Sequence, residues 1–403
     1  MVNPTKIPFL DLITPHQELE TELLAVVQKA FSNAGFIGGP MVEDFEREFA
    51  AFCDAKYCVG VNSGTDALRF AFMAAGIERG DIILTVPHTF IATTEAISQA
   101  GAQIGFIDID EQSYTMDPKE LKKYIEQRCE FDSGTGKLIE RESKHRVAGI
   151  VPVHLYGQTA DMDPILQLAA KYNLFVIEDA CQAHGAEYYS KKEKQWRRAG
   201  TMGKAAAFSF YPTKNLSAYG EAGLVTTRDP EFAEHMRRLR THGSARRYRH
   251  EEFGWNARMD AIQAAILRVK LPYIAEWNQQ RRERAASYDQ LLAQTGLWSA
   301  KFDSPLRPLQ ISPHAHHVFH QYVVRAKRRD ELRQFLTDRK IGTEIYYPIP
   351  LHLQPCFAYL GYREGDLPVS ERASKEVLAL PMFPELTESE QKWVVESMAE
   401  FYS

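Results

Sequence analysis

From residue 57 to residue 177 the chain alternates between short apolar runs and segments of helical periodicity, and this alternation narrows the folds open to it. Residues 57–61, 82–86, 104–107, 147–153 and 174–177 read as strands, and 66–75, 91–99, 118–126 and 164–171 read as helices. The strands are apolar along their whole length, so both of their faces must be covered. The intervening helices return the chain for another strand in the same direction. An α/β protein, with a mostly parallel sheet and helices on both faces, meets both conditions.

Outside this block the pattern differs. Thr14-Pro15 opens an amphipathic helix over 14–34, with Leu19, Leu23, Val27, Ala30, Phe31 and Ala34 on one face and Gly35 after it. A second helix follows Gly38-Gly39-Pro40, with Val42, Phe45, Phe49 and Phe52 on one face. Two polar segments, 128–146 and 188–199, read as surface hairpins or loops. Residues 258–291 form a long helical stretch with a break expected at Pro272. A strand at 320–325, a helix at 329–339, a Pro-rich loop at 346–355 and a helix after Thr387 follow. This pattern predicts a large domain over 1–260 and a smaller α+β domain over 261–403, within the two to three domains that 403 residues suggest.

A hydrophobic fraction of 44% excludes a mainly disordered chain. The net charge of −5 excludes a globally basic nucleic-acid binder. Cysteines at 53, 58, 129, 181 and 356 form neither a disulfide framework nor a zinc pattern and are expected to be reduced. No apolar stretch is long enough to span a membrane, and the run Ile7 to Leu10 is too short for a signal peptide, so no membrane association and a cytoplasmic location are expected. His316 and His317 lack Cys or acidic partners at ligand spacing, so no metal is expected there.

Three segments carry chemistry. Asn62-Ser63-Gly64-Thr65-Asp66 lies between a strand and a helix, where backbone N–H groups suit either an anion or a plain N-cap. Val176-Ile177-Glu178-Asp179 ends a buried strand in an acidic pair, at the sheet edge where α/β proteins bind ligands. There Asp179 could hold a cationic ring nitrogen or a metal, or cap a helix. Ser209 and Lys214 follow in a run of small and aromatic residues, an environment in which a lysine can become a Schiff-base amine.

The order of these segments resembles pyridoxal-phosphate enzymes of the aspartate-aminotransferase fold type. SGTDAL at 63–68, PHTFIAT at 87–93, YGQTADMDPI at 156–165, EDACQAHGA at 178–186, SFYPTKNL at 209–216, GWNARMDAIQAAIL at 254–267 and YYPIPLHLQPCF at 346–357 resemble the DegT/DnrJ/EryC1/StrS sugar aminotransferases. That resemblance covers nearly the whole chain. It implies a seven-stranded, mostly parallel sheet in the large domain and a homodimer with shared active sites. Lys214 would carry pyridoxal 5′-phosphate as a Schiff base and move protons, and the cofactor would alternate with pyridoxamine 5′-phosphate in a ping-pong reaction. Asp179 would pair with the ring nitrogen. Gly64, Thr65 and Ser209 would bind the phosphate, joined by Asn256 from the neighbouring subunit. Phe90 would stack on the ring, with an ordinary core aromatic as the alternative, and Gln182 would meet its phenolic edge.

Members with EDxxQAHGA, as here with Gln182 and His184, tend to act at carbon 3 or on ketocyclitols, and those with His at the Gln182 position at carbon 4. The expected reaction is therefore amination of a nucleotide-linked 3-keto sugar, with glutamate as donor. A 4-keto sugar, a ketocyclitol and a non-catalytic cofactor-binding regulator are the alternatives. Lys214 argues against the dehydratase relatives, which carry His there, and the lack of G-x-G-x-x-G argues against a nicotinamide protein. Six arginines lie between 237 and 249. A solvated helix face explains Arg237, Arg238 and Arg240, while Arg246, Arg247, Tyr248 and His250 suit a loop that binds a diphosphate or carboxylate. Thr241 stands where the family often has Asn. Tyr346, Tyr347 and His352 are expected in a second substrate wall, although the family often has His where Tyr346 stands.

Overall fold

The computed structural model describes residues 6–299, 301 and 303–403. Its central sheet contains, in chain order, β1 (Tyr57–Val61), β2 (Ile82–Thr85), β3 (Gln103–Phe106), β4 (Arg146–Ile150), β5 (Phe175–Asp179), β6 (Ala205–Ser209) and β7 (Gly223–Thr227). Across the sheet the order is β1-β7-β6-β5-β4-β2-β3. Strands β6, β5, β4, β2 and β3 are mutually parallel, and β7 alone runs against its neighbours. The polar segment at 128–146 forms a hairpin, Cys129–Asp132 with Lys137–Glu140, that attaches to β4 and brings the sheet to nine strands. The segment at 188–199 forms another hairpin, Glu187–Ser190 with Gln195–Arg198.

Strand residues divide between two cores by their period of two. Ile82, Leu84, Ile150 and Val176 join one face with Leu121, Ile125 and Ile165. Ile83, Val151, Ile177 and Val225 join the other with Leu68, Phe70, Ile97 and Phe232. Covering helices on each side explain the absence of polar alternation. At Gly149 a Cβ would lie 2.2 Å from the Phe175 ring, so glycine is what lets Phe175 cover β4.

Two expected helices are broken. The 14–34 segment divides into Thr14–Glu18 and Glu20–Asn33, because the backbone at Leu19 leaves helical ψ. Its first N–H groups are served by Asp11 rather than by Thr14: Asp11 Oδ1 accepts from the amides of Ile13 (2.7 Å) and Thr14 (3.1 Å). The 258–291 stretch becomes Ala261–Lys270, a 3-10 turn at Leu271–Tyr273 containing Pro272, and Ile274–Gln294. The first of these helices buries Ala261, Ala264 and Leu267 with Phe45, Phe49, Phe208 and Phe210. It thus packs with the helix Pro40–Cys53 and with β6, although it lies beyond residue 260. A separate cluster, including Tyr288, Leu332, Leu336, Leu378, Val394 and Met398, takes over from Ala285. It packs on the antiparallel sheet Leu306–Pro308, Tyr322–Ala326 and Val377–Leu380. Thr387 caps the last helix, Glu388–Tyr402, in a reciprocal capping box with Glu390.

Candidate active site

The chemistry-bearing residues meet at the carboxyl ends of β5 and β6. Asp179 is the last residue of β5, and its carboxylate is buried. Thr93 Oγ1 donates to Asp179 Oδ2 (2.7 Å), and the Cys181 amide donates to Oδ1 (3.2 Å). Behind it, Glu178 is fully buried; burial pushes its pKa up, but His154 and the amides of Gly203 and Gly200 more than offset this and hold it below the usual carboxylate value.

Ser209 ends β6 and faces the start of the helix Gly64–Ala74. Ser63 caps that helix through the Asp66 amide (3.1 Å). The amides of Gly64 and Thr65 have no acceptor among the described residues. A Cβ on Gly64 would lie 2.7 Å from Ser209 Cβ and 3.1 Å from Cys181 Sγ. The result is a side-chain-free notch lined by two free N–H groups and a hydroxyl, which suits a phosphate.

Lys214 follows β6 in a tight turn, its amide donating to Tyr211 O (2.8 Å). Asn215 anchors the turn from behind. Its Nδ2 donates to Asn278 Oδ1 (2.9 Å) and Val318 O (3.1 Å), and its Oδ1 pairs with His320 Nδ1 (3.2 Å). Burial lowers the pKa of the Lys214 amine, with Cys181 and Asp179 opposing the shift. Nζ makes no hydrogen bond among the described residues, leaving it available to a bound molecule.

Gln182 and the 346–347 segment close another side. Gln182 Oε1 accepts from the Tyr156 amide (2.7 Å), and Nε2 donates to Tyr347 Oη (3.1 Å). Tyr156 Oη pairs with His88 Nε2 (2.9 Å) and donates to Tyr346 O. Phe90 is 55% exposed, which rules out a core aromatic, and its ring lies 6.1 Å from that of Tyr347. Thr93 and Tyr347 complete the site. Thr93 sits four residues after Thr89, with their hydroxyls 3.1 Å apart, but that i, i+4 pair in PHTFIAT does not by itself point to Asp179.

Other predicted residues lie elsewhere. His352 is a core histidine rather than part of a substrate wall: it is buried, with Nε2 3.1 Å from Glu371 Oε1 and its ring against Phe106 and Tyr362. Tyr346 turns its ring toward Phe9 (6.0 Å) and presents its carbonyl to Tyr156. Arg247, Tyr248 and His250 occupy a projecting hairpin, where Tyr248 is 83% exposed and Arg247 Nη2 donates to Tyr248 Oη (3.2 Å). His250 Nδ1 pairs with His242 O (2.8 Å). Asn256 is exposed, and Arg258 donates to its side-chain oxygen. None of these four contacts Lys214 or Asp179 among the described residues. Arg240 is not on a solvated face; it donates to Glu46 Oε1 and Gly60 O, both at 2.5 Å. His316 pairs with Glu187, and His317 Nδ1 accepts from the Phe319 amide. Among the described residues no three His, Cys, Asp or Glu side chains group for a metal, and no helix is long and apolar enough to cross a membrane.

A free lysine amine beside a strand-end carboxylate, with an open phosphate notch next to them, fits pyridoxal phosphate on the aminotransferase fold. The chain belongs to the DegT/DnrJ/EryC1/StrS aminotransferase family, whose model matches residues 17–399, and the family is pyridoxal-phosphate dependent. It is similar to a pleiotropic regulatory protein of Geobacillus stearothermophilus, at 43% identity over 396 residues and 98% of each chain. It is also similar to dTDP-3-amino-3,4,6-trideoxy-alpha-D-glucose transaminase of Streptomyces venezuelae, at 40% identity over 396 residues, 98% of this chain and 96% of the relative. The crystal structure of S. venezuelae DesV in complex with a ketimine intermediate matches with a TM-score of 0.88 at 39% identity, covering 99% of each chain.

Proposed function

We propose that this protein transfers an amino group from glutamate to carbon 3 of a nucleotide-linked keto sugar. The observation that carries this is an unbonded Lys214 amine, its cation disfavoured by burial, within reach of the charge of the buried Asp179 carboxylate, together with the notch of Gly64, Thr65 and Ser209. Gln182 in place of His, together with the similarity to a 3-amino-sugar transaminase, favours carbon 3 over carbon 4.

When bound, pyridoxal phosphate supplies an electron sink that stabilises negative charge on the carbon losing or gaining its proton. The side chains divide the remaining work. Gly64, Thr65 and Ser209 bind the phosphate through two helix-terminal N–H groups and a hydroxyl. Asp179, held by Thr93 and the Cys181 amide, keeps the ring nitrogen protonated. Phe90 offers an open face for stacking, and Gln182 presents its amide to the phenolic edge. Lys214, its cation disfavoured by burial, takes and returns the proton as a neutral amine.

The projecting Arg247, Tyr248 and His250, with the exposed Asn256, fit contribution to a partner's site in a homodimer. There the arginine and histidine would meet the substrate's diphosphate. Mixing Lys214→Ala and Asn256→Ala proteins, each inactive alone, should restore activity in a fraction of mixed dimers; no recovery contradicts sharing. The similarity to a regulatory protein favours one second reading, cofactor binding without turnover. Incubation with pyridoxal phosphate and glutamate separates the two. Loss of the aldehyde-form absorbance supports transamination, whereas unchanging colour supports the regulator.

A further inference from the structure

We propose that Asn278 is a positioning residue: its side-chain amide holds the turn that carries Lys214 in register with the segment that carries Asp179 and Gln182. The inference rests on the site assignment above and follows from which atoms can donate. Asn278 is buried in the helix Ile274–Gln294, outside the strands that bear the site. Its Nδ2 donates to His184 O (2.8 Å), five residues after Asp179. Its Oδ1 accepts from Nδ2 of Asn215 (2.9 Å), the residue after Lys214. A carbonyl oxygen can only accept, so His184 O fixes the orientation of the Asn278 amide, and Val318 O (3.1 Å) fixes that of Asn215 in the same way. Asn215 Oδ1 then accepts from His320 Nδ1 (3.2 Å), on a ring that burial keeps neutral. The hydrogens therefore run in one direction, from His320 through Asn215 and Asn278 to His184, and neither amide can flip without losing its partners.

The surroundings fit this role. Gly185 has φ +81°, and a Cβ there would lie 3.1 Å from Asn278 Nδ2, so glycine lets the helix come this close. One turn further on, the buried Arg281 donates to Phe319 O (3.1 Å) and Met382 O (3.0 Å), which fixes the 318–320 segment to the same helix. Later turns of that helix bury Ala285, Tyr288 and Leu292 with Leu332, Leu378 and Val394. Among the described residues no hydrogen bond joins residues 210–216 directly to residues 179–186, and Asn278 is the partner they share. Without it the turn can shift relative to Asp179, and a displacement of about 1 Å at a reacting group costs about a hundredfold in rate.

The test compares wild type with Asn278→Leu, which keeps the volume and neutrality and removes both hydrogen bonds, and with the smaller Asn278→Ser. Tyr288→Phe is the control: it removes one buried hydrogen bond of the same helix, to Pro381 O (3.1 Å), away from both segments. Three quantities are read: hydrogen exchange of amides 180–186 and 211–216 in the cofactor-free protein, the pH midpoint of the bound cofactor's absorbance, and kcat against KM. Both Asn278 variants should speed exchange about tenfold in both segments. They should move the midpoint by about half a unit, a change of about threefold in proton affinity. They should also lower kcat about tenfold or more, with KM within about twofold. Tyr288→Phe should lower thermal stability and leave all three readouts within about twofold. Asn278 variants that, like Y288F, lose stability alone overturn the proposal, as does exchange that rises in one segment only. Should neither variant fold, wild-type exchange decides: the Lys214 and Ala183 amides, bonded to Tyr211 O and Ala180 O, should open with one free energy and one urea slope, and different slopes overturn the proposal. A wild type that binds no pyridoxal phosphate refutes the site assignment itself, a separate outcome that the exchange measurement distinguishes.

Discussion

Replacing Glu178 with Gln should destabilise the protein far more than an isosteric change suggests. The carboxylate has no solvent exposure and satisfies four donors. Oε1 accepts from the amides of Met202 (2.7 Å) and Gly203 (2.8 Å), and Oε2 accepts from the Gly200 amide (2.8 Å) and faces His154 Nε2 (2.9 Å). His154 Nδ1 accepts from the Ala160 amide (3.1 Å), so the ring hydrogen sits on Nε2 and the imidazole is a fourth donor. Glutamine keeps one acceptor oxygen. In either orientation its NH2 group meets two donors, and two hydrogen bonds to a charged group are lost. At about 1.5–3 kcal/mol each, the cost is about 3–6 kcal/mol. Urea unfolding followed by circular dichroism should show a lower midpoint with an unchanged slope. The pH dependence should change as well. Because the folded-state pKa of Glu178 lies below its unfolded value of 4.5, its contribution is present above 4.5 and lost as pH falls through the folded value. E178Q should therefore flatten the acid limb of stability. A loss below about 1 kcal/mol, with an unaltered acid limb, refutes this account of the β5 terminus.

Three further outcomes are expected. Gly64→Ala places a methyl 2.7 Å from Ser209 Cβ and should cost about 1–3 kcal/mol in stability while lowering pyridoxal-phosphate affinity at least tenfold, as read by absorbance titration. Thr93→Val leaves Asp179 Oδ2 without its hydroxyl donor and should weaken cofactor binding about tenfold, with secondary structure unchanged by circular dichroism. Lys270 is buried with no acidic partner among the described residues, donates to Ser217 O (2.8 Å), and has its pKa lowered by burial from 10.5 to about 7. Between those values the unfolded chain holds a proton that the folded chain has released, so stability should rise with pH. Thermal melts of Lys270→Met across pH 7–10 should show that rise abolished.

The central sheet was legible because its strands are wholly apolar and their helical connections are short, so pattern alone set the class. Asp179, Ser209 and Gly64 were legible because each lies where a strand or helix must end. What escaped the sequence depends on tertiary partners. His352 reads the same whether it faces a sugar or Glu371, and only the position of the helix Pro368–Glu376 decides. Thr93 matters because its helix is brought against β5 across 86 residues of chain. Leu19 has helical periodicity on both sides, and its break appears only where Leu19 and Leu23 bury against Ile266. The arginine-rich segment was legible as a cluster, but Arg240 proved to be a partly buried link to Glu46.

The most direct test of the account is a single-turnover experiment on the pyridoxamine form. It should be mixed in turn with a nucleotide-linked 3-keto sugar, the corresponding 4-keto sugar and a ketocyclitol, and the absorbance of the aldehyde form followed. The account predicts fast return of that absorbance with the 3-keto sugar and a rate at least tenfold lower with the others. It also predicts none with any of them in Lys214→Ala. Equal or faster return with the 4-keto sugar or the ketocyclitol would contradict the assignment of carbon 3, and undiminished return in Lys214→Ala would contradict the mechanism.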